Sequence, residues 1–130
     1  MIVTYQPDEI PWEDIEELVD KALDRGSIYT AEDIRHGLEA SAFQLWAWKD
    51  SQIKAILVTM IYGACCYLLL AAGTDMKNWL SNLDLVKNWA CLEGCTEMRI
   101  HGRKGWERLL GFEVIGKDDL GLPIMRQRLG

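Results

Sequence analysis

The longest apolar stretch of the chain covers residues 55–74, AILVTMIYGACCYLLLAAGT, which contain no charged side chain. A helix needs about 20 apolar residues to cross a bilayer core, so a membrane span is one interpretation of this stretch. Its first half is rich in β-branched and aromatic residues, which favour a strand, and Gly63-Ala64 divides it where a tight turn would lie. Strands that are buried on both faces form such continuous apolar runs. The pattern therefore predicts a central β-hairpin, with strands at 53–62 and 64–72, rather than a membrane span.

Three other segments have the apolar spacing of amphipathic helices. The first begins at Trp12 and has one strongly acidic face. The second begins at Thr30, which is followed by Asp33 at capping-box spacing. The third extends from Asp75, as its N-cap, to Gly94. Its predicted inner face consists of Trp79, Leu80, Leu83, Val86, Trp89, Ala90 and Leu92.

Shorter segments predict the remaining strands. Residues 2–5 form an edge strand, residues 43–48 pair with 53–62, and residues 111–115 and 122–129 form a last hairpin after a brief helix near Trp106. Residues 98–100 follow a strand–helix crossover, so they should lie parallel to the strand at 64–72. The predicted fold class is α/β (α+β): a mixed, mostly antiparallel central sheet of six to seven strands with helices on both faces. A chain of 130 residues should form it as a single domain, 1–130.

The charge balance limits the classes of partner. The formal net charge of −6 gives no support to a nucleic-acid partner. The acidic residues of the first helix are interpreted as a solvated helix face; attraction of a cationic substrate is the functional alternative.

The four cysteines, Cys65, Cys66, Cys91 and Cys95, are expected to be free, buried thiols. The acidic N-terminal segment does not have the pattern of a signal peptide, so a reduced, cytoplasmic setting is expected. Zinc binding is the alternative, but the spacing of these cysteines matches no common zinc site. No metal is therefore expected.

Two stretches of sequence resemble the GNAT acyltransferase superfamily. Residues 89–95, WACLEGC, resemble the "A...GC" ending of that family's helix after the fourth strand. Residues 102–112, GRKGWERLLGF, look like its last helix and terminal Gly-Phe pair. Together they are similar to small GNAT-like proteins encoded by bacteriophages. The element order agrees along nearly the whole chain, whereas the motifs agree only over residues 89–112.

This resemblance implies that the fourth strand splays from the fifth and that acetyl-CoA lies in the gap. Backbone N–H groups at the start of the long helix would receive its pyrophosphate. Only Gly73 matches the family's Arg/Gln-x-x-Gly-x-Gly/Ala turn, and Asp75 would place a like charge beside the diphosphate. An ordinary capped turn is the alternative interpretation. The expected cofactor-binding residues are Leu70, Ala72, Gly73, Thr74, Lys77, Arg103 and Lys104.

The resemblance also suggests catalytic residues. The tyrosine that serves as the general acid in this family corresponds to Glu107 here, or to Trp106 if the register slips by one residue. Glu97 or His101, at the fifth strand, is the candidate general base, and the unperturbed pKa of histidine suits that role. A solvated or structural histidine is the alternative. Tyr62 and Tyr67 are expected in the core, with their hydroxyl groups at its rim.

Two surfaces are candidate binding regions. The only basic concentration in this acidic chain could receive CoA phosphates or an acidic protein surface; it comprises Arg99, His101, Arg103, Lys104 and Arg108. Trp46 and Trp48 share one strand face, so they should form an exposed aromatic patch for a protein partner if the other face is core. An oligomer is compatible with such a patch.

Two functions follow from the resemblance. The first is an acetyl-CoA-dependent N-acyltransferase with an unknown amine acceptor. The alternative is a non-catalytic GNAT-fold phage protein that acts as a virion component or a protein-binding accessory, since fold alone does not decide function. A phage-encoded protein would be located in the host cytoplasm or in the virion.

Overall fold

The computed structural model describes residues 2–24, 29–73, 83–101 and 111–129. Several sequence predictions fall outside these ranges: the start of the third helix, the brief helix near Trp106, and the site residues Thr74, Lys77, Arg103, Lys104 and Glu107.

A seven-stranded sheet forms the centre of the molecule, in the order β1-β2-β3-β4-β5-β7-β6. The strands are β1 Ile2–Thr4, β2 Phe43–Lys49, β3 Ile53–Tyr62, β4 Cys65–Gly73, β5 Glu97–His101, β6 Glu113–Lys117 and β7 Pro123–Arg128. Only the β4–β5 pair is parallel. The other neighbours are antiparallel. The predicted mixed, mostly antiparallel sheet is confirmed.

Three described helices cover the sheet: α1 Trp12–Leu23, α2 Ala31–Glu39 and α3 Leu83–Leu92. A 3-10 turn, Pro7–Glu9, precedes α1. Thr30 and Asp33 form the capping box that their spacing predicts, so α2 begins where the sequence places it.

The predicted central hairpin is confirmed by β3 and β4, which are joined at Gly63-Ala64. Gly63 has a φ of 61°, a left-handed conformation that glycine adopts without steric cost. None of the helices described is long and apolar enough to cross a membrane.

Each face of the sheet carries its own core, and this explains why β3 and β4 are apolar on both sides. α1 and α2 cover one face, where the buried residues are Ile10, Ile15, Val19, Ile34, Leu38, Leu45, Ala47, Ile56, Val58, Leu70 and Ala72. α3 covers the other, where they are Trp46, Leu57, Cys66, Leu68, Leu83, Val86, Ala90, Cys95, Met98, Ile100, Phe112 and Met125. The expectation of helices on both faces is confirmed.

Trp46 is buried, so the expected exposed aromatic patch is wrong at this residue. Its ring stacks edge-on against that of Trp89, with centroids 5.2 Å apart. Its indole Nε1 donates to Thr59 Oγ1 at 3.1 Å, and that hydroxyl donates to Gln44 Oε1 at 2.9 Å. The sequence predicts that this sheet face is exposed to solvent, whereas in the structure α3 covers it. Trp48 is half-buried.

Three further burial predictions are wrong. Tyr62 is 75% exposed, because it lies at the hairpin end of β3. Leu92 is 87% exposed and Cys91 is exposed, because the buried stripe of α3 is Leu83, Val86 and Ala90. Trp89 is half-buried at the edge of that stripe.

Candidate functional site

The ladder between β4 and β5 covers only the first part of β4. Their parallel ladder extends from the Cys65–Glu97 pair to the Leu68–Ile100 pair. β4 then continues to Gly73 along β3, and β5 continues to His101, which pairs with Ile124 of β7. β4 therefore extends five residues, 69–73, beyond its last partner on β5, and the edge that it turns toward β5 is unpaired there within the described residues; we call the space beside this edge the gap.

A β-bulge in β4 lies at the same point. Thr59 of β3 pairs with Leu68, but the next β3 residue, Val58, pairs with Leu70. Leu69 is the extra residue. Bulges bend a strand and increase its twist, and this one lies where the described β4–β5 pairing ends.

The bulge also changes which side of the sheet the even-numbered residues of β4 face. Cys66 and Leu68 pack in the core under α3, whereas Leu70 and Ala72 pack in the core under α1 and α2. Without an extra residue, alternate positions of a strand would stay on one face. Since the side chains of Leu70 and Ala72 are buried, only their backbone groups can contact a ligand in the gap.

Gly73 ends β4 at a place where no side chain fits. Its φ is +145°, and a Cβ atom there would overlap Ala55 and the backbone carbonyl oxygen of Lys54. The main chains of β3 and β4 can therefore approach each other closely at this end of the gap.

Backbone groups along residues 69–73 are the polar groups that β4 offers to the gap. Strand N–H and C=O groups point alternately to the two neighbouring strands, and the described residues show no β5 pairing beyond Leu68. This edge can donate to and accept from an extended ligand that lies where β5 would otherwise be.

Glu97 lies at the other end of the shared ladder, away from the gap. Arg99 Nε and Nη2 donate to its Oε1 at 3.1 Å and 2.9 Å, and Arg126 Nε lies 3.8 Å from its Oε2. Arg126 also donates through Nη2 to Glu113 Oε1 at 2.7 Å, and this hydrogen bond lowers the pKa of Glu113. These residues tie β5, β7 and β6 together across one sheet face.

The cysteines near the ladder are poor nucleophiles. Burial, and secondarily the carboxylate of Glu97, raises the pKa of Cys65 to about 11. Burial, with further contributions from Cys95 and Cys65, raises the pKa of Cys66 to about 12. Burial also raises the pKa of the half-buried Tyr67, whose side chain hydrogen-bonds to Cys65. The thiols are thus protonated near neutral pH, which does not suit covalent catalysis.

His101 is the predicted catalytic residue whose backbone lies at the gap. It follows Ile100 directly, at the end of β5. Glu97 is remote from the gap, and Glu107 is outside the described ranges. The sequence offered no signal for the bulge at Leu69, because residues 68–72 are all apolar and show no alternation.

Across the described ranges, no three His, Cys, Asp or Glu side chains lie close enough together to hold a metal ion.

The same architecture occurs in solved N-acetyltransferases. PaiA N-acetyltransferase from Thermoplasma acidophilum, in complex with coenzyme A, matches with a TM-score of 0.69 and 17% identity over 98% of this chain and 99% of that chain. Aminoglycoside 6'-acetyltransferase type Ii matches with a TM-score of 0.75 and 9% identity, over 98% and 96% of the two chains. An N-acetyltransferase from Staphylococcus aureus matches with a TM-score of 0.69 and 12% identity, over 97% and 94%. The chain has the GNAT fold that these proteins share.

The likeness lies in the structure and not in the sequence. No protein-family model matches the sequence, and no curated protein matches it either.

Proposed function

We propose that this protein is an N-acyltransferase that moves an acetyl group from acetyl-CoA to an amine. The observation that carries the proposal is the backbone edge of β4 beyond the Leu69 bulge, which has no partner on β5 among the described residues. The fold supports the same class of reaction, and the coenzyme A in the PaiA complex is a ligand of that protein.

The gap fits an extended ligand with amide groups. Pantetheine is such a chain, and its amides can pair with the backbone N–H and C=O groups of residues 69–73 as a neighbouring strand would. We assign the phosphates to Thr74, Lys77, Arg103 and Lys104, since cationic side chains attract anions and the threonine hydroxyl can donate to them.

Acetyl-CoA supplies an activated thioester, and this chain's residues position it and move protons. A backbone N–H group at the bulge donates to the carbonyl oxygen, where negative charge develops during acyl transfer. As the C–N bond forms and the C–S bond breaks, His101 accepts the proton that the amine loses. Glu107, at the family's acid position, returns a proton to the CoA sulfur. Glu97 is held by Arg99 and Arg126 and acts instead as a structural carboxylate.

Calorimetric titration with acetyl-CoA tests the proposal directly. We expect saturable binding, and Arg103→Ala should weaken it by a factor that shrinks as salt is added. Lys117→Ala is the matched control, because it removes one positive charge from the edge strand β6, away from the gap. A panel of primary amines, with release of free CoA thiol as the readout, then tests transfer.

Absence of heat at high acetyl-CoA concentration would overturn the proposal. The non-catalytic alternative, a virion component or accessory with a protein partner at Trp48 or Arg103, would then be favoured. Binding without transfer to any amine would leave a CoA-binding protein in place of an enzyme.

A further inference from the structure

The β3–β4 ladder contains two different registers. From Tyr62–Cys65 to Thr59–Leu68 the pairing follows from the tight turn. From Val58–Leu70 to Ala55–Gly73 it is displaced by one residue of β4. Leu69 takes up this difference, so the location of the bulge depends on what fixes each register.

Chain connectivity fixes the first register. Only Gly63 and Ala64 separate β3 from β4, and a two-residue turn sets the pairing of the strands that it joins. Gly63 supplies the positive φ that such a turn requires.

The hydrophobic pattern does not fix the second register. Residues 68–72 are Leu-Leu-Leu-Ala-Ala, and both faces of the sheet at this point are apolar cores. A slip by one residue would place Leu69 and Ala71 under α1 and α2 in place of Leu70 and Ala72. Such a slip exchanges apolar side chains for apolar side chains, so it is weakly opposed.

Gly73 is the residue that distinguishes the two registers. In the bulged register it lies opposite Ala55, where a Cβ atom would overlap Ala55 and the Lys54 carbonyl oxygen. In a straight register Ala72 would lie opposite Ala55, and position 73 would move past this contact. Any side chain at position 73 therefore opposes the bulged register and leaves the straight one available.

We infer that Gly73 is a positioning residue whose missing side chain permits the bulge at Leu69 and thereby the unpaired edge of β4 at residues 69–73. In the straight register β4 loses the bend that the bulge provides, and Leu69 can pair with His101 as the next position of the β4–β5 ladder. The effect on acyl-CoA binding rests on the proposed function; the effect on strand register does not.

The test is the Gly73→Ala variant of the full chain, studied by NMR. Cross-strand backbone NOEs between Ile56 and Ala72 mark the bulged register, and NOEs between Ile56 and Ala71 mark the straight one. We expect the substitution to replace the first set by the second. Acetyl-CoA affinity should fall by on the order of tenfold or more, because small displacements of binding groups have effects of this size.

Gly121→Ala is the matched control. This residue also has a positive φ and a Cβ atom there meets nothing within 4 Å, but it lies between β6 and β7, away from the β3–β4 ladder, so the Ile56–Ala72 NOEs should persist. Retention of these NOEs in Gly73→Ala would overturn the inference. A register shift in Gly73→Ala, together with a wild-type protein that binds no acetyl-CoA, would support the inference and overturn the proposed function.

Deletion of Leu69 provides a second variant should Gly73→Ala fail to fold. It removes the extra residue and leaves both end pairings intact, so we expect a folded chain with the Ile56–Ala72 NOEs, a longer β4–β5 ladder and no acetyl-CoA binding. Loss of those NOEs in the deletion variant, or an unchanged ladder, would overturn the inference.

Discussion

The four cysteines differ sharply in their surroundings. Cys65, Cys66 and Cys95 are buried in or beside the sheet, and burial raises the pKa of each thiol. Cys91 is exposed on the outer side of α3. Because a reagent must reach the sulfur and the thiolate is the reactive form, burial protects Cys65, Cys66 and Cys95, whereas the Cys91 side chain is accessible.

We predict that one thiol per native chain reacts quickly with a disulfide reagent such as DTNB at mildly alkaline pH. Cys91→Ser should abolish the fast phase, whereas Cys95→Ser should leave it intact. The remaining thiols should react only at the rate at which the chain opens. Two or more fast thiols in the native protein would contradict the burial described for β4 and the segment before β5.

Residue burial could be predicted from the sequence in a strand that is covered on both faces, but not in a helix whose phase was unknown. Burial was predicted correctly for Cys65, Cys66 and Cys95. It failed at Cys91, because successive helix positions are turned by about 100° and Ala90 already faces the sheet. A run of small and apolar residues such as WACL does not reveal which of its members points inward.

Among the elements, α2 has the best defined start. Thr30 Oγ1 accepts from the backbone N–H of Asp33 at 3.1 Å, and Asp33 Oδ2 accepts from the backbone N–H of Thr30 at 2.9 Å. The hydrogen bond from the Thr30 backbone N–H to the carboxylate, with a further contribution from the Thr30 side chain, favours the charged form and lowers the pKa of Asp33 in the folded protein.

The capping box predicts a pH-dependent contribution to stability. Since the pKa of Asp33 is lower in the folded state than in the unfolded state, its contribution is complete above the ordinary aspartate value. It is lost as the pH falls from there through the lowered value. We expect Asp33→Asn to flatten this acid limb of the free energy of unfolding, as measured by denaturant titration between about pH 2 and pH 6.

Thr30→Ala should lower the free energy of unfolding by about 1 kcal/mol at neutral pH, the usual cost of losing an N-cap side chain. Thr30→Ser retains the hydroxyl and should be close to wild type. Equal acid limbs in wild type and Asp33→Asn would show that the box contributes nothing to the pH dependence.

Elements with local chemical signals were predictable, and the bulge was not. Thr30 marks a cap, Gly63 marks a turn and the β-branched residues of β3 mark a strand, and each of these signals comes from residues within a few positions of the feature. The break in β4 depends on Gly73 fitting against Ala55, a contact between residues far apart in the sequence. A scan for periodicity cannot detect it.

At the scale of the whole molecule, the two cores share the same sheet. Ile15 lies in the core under α1 and α2, and Ile100 lies in the core under α3. β2, β3 and β4 contribute side chains to both, so neither core can form without these central strands. The protein should therefore unfold as one cooperative unit.

Ile15→Val and Ile100→Val should each lower the free energy of unfolding by about 1 kcal/mol, and the double variant by about 2 kcal/mol, because buried Ile→Val substitutions at separate sites are nearly additive. Thermal unfolding followed by circular dichroism and by tryptophan fluorescence should give one coincident transition in all three variants. Separate transitions for the two probes would indicate that the cores unfold independently.

The topology of the whole chain was predicted more completely than its site. The strand–helix crossover in the order of elements was enough to place the parallel β4–β5 pair. The same resemblance placed Glu97 among the catalytic residues, whereas the structure holds it between Arg99 and Arg126. Its position on β5 was predictable, but the guanidinium of Arg126 reaches it from a strand distant in sequence.

The tight hairpin at the centre of the sheet also determines what happens while the chain is still incomplete. β3 and β4 can pair within microseconds because so few residues separate them, but β5 and β7 must be recruited from farther along the chain. Until β5 arrives, one edge of an uncharged, apolar strand is open to any other chain that presents the same edge. During refolding, completion of the sheet within one chain competes with pairing between chains. Pairing between chains becomes faster as the protein concentration rises, whereas completion within one chain does not.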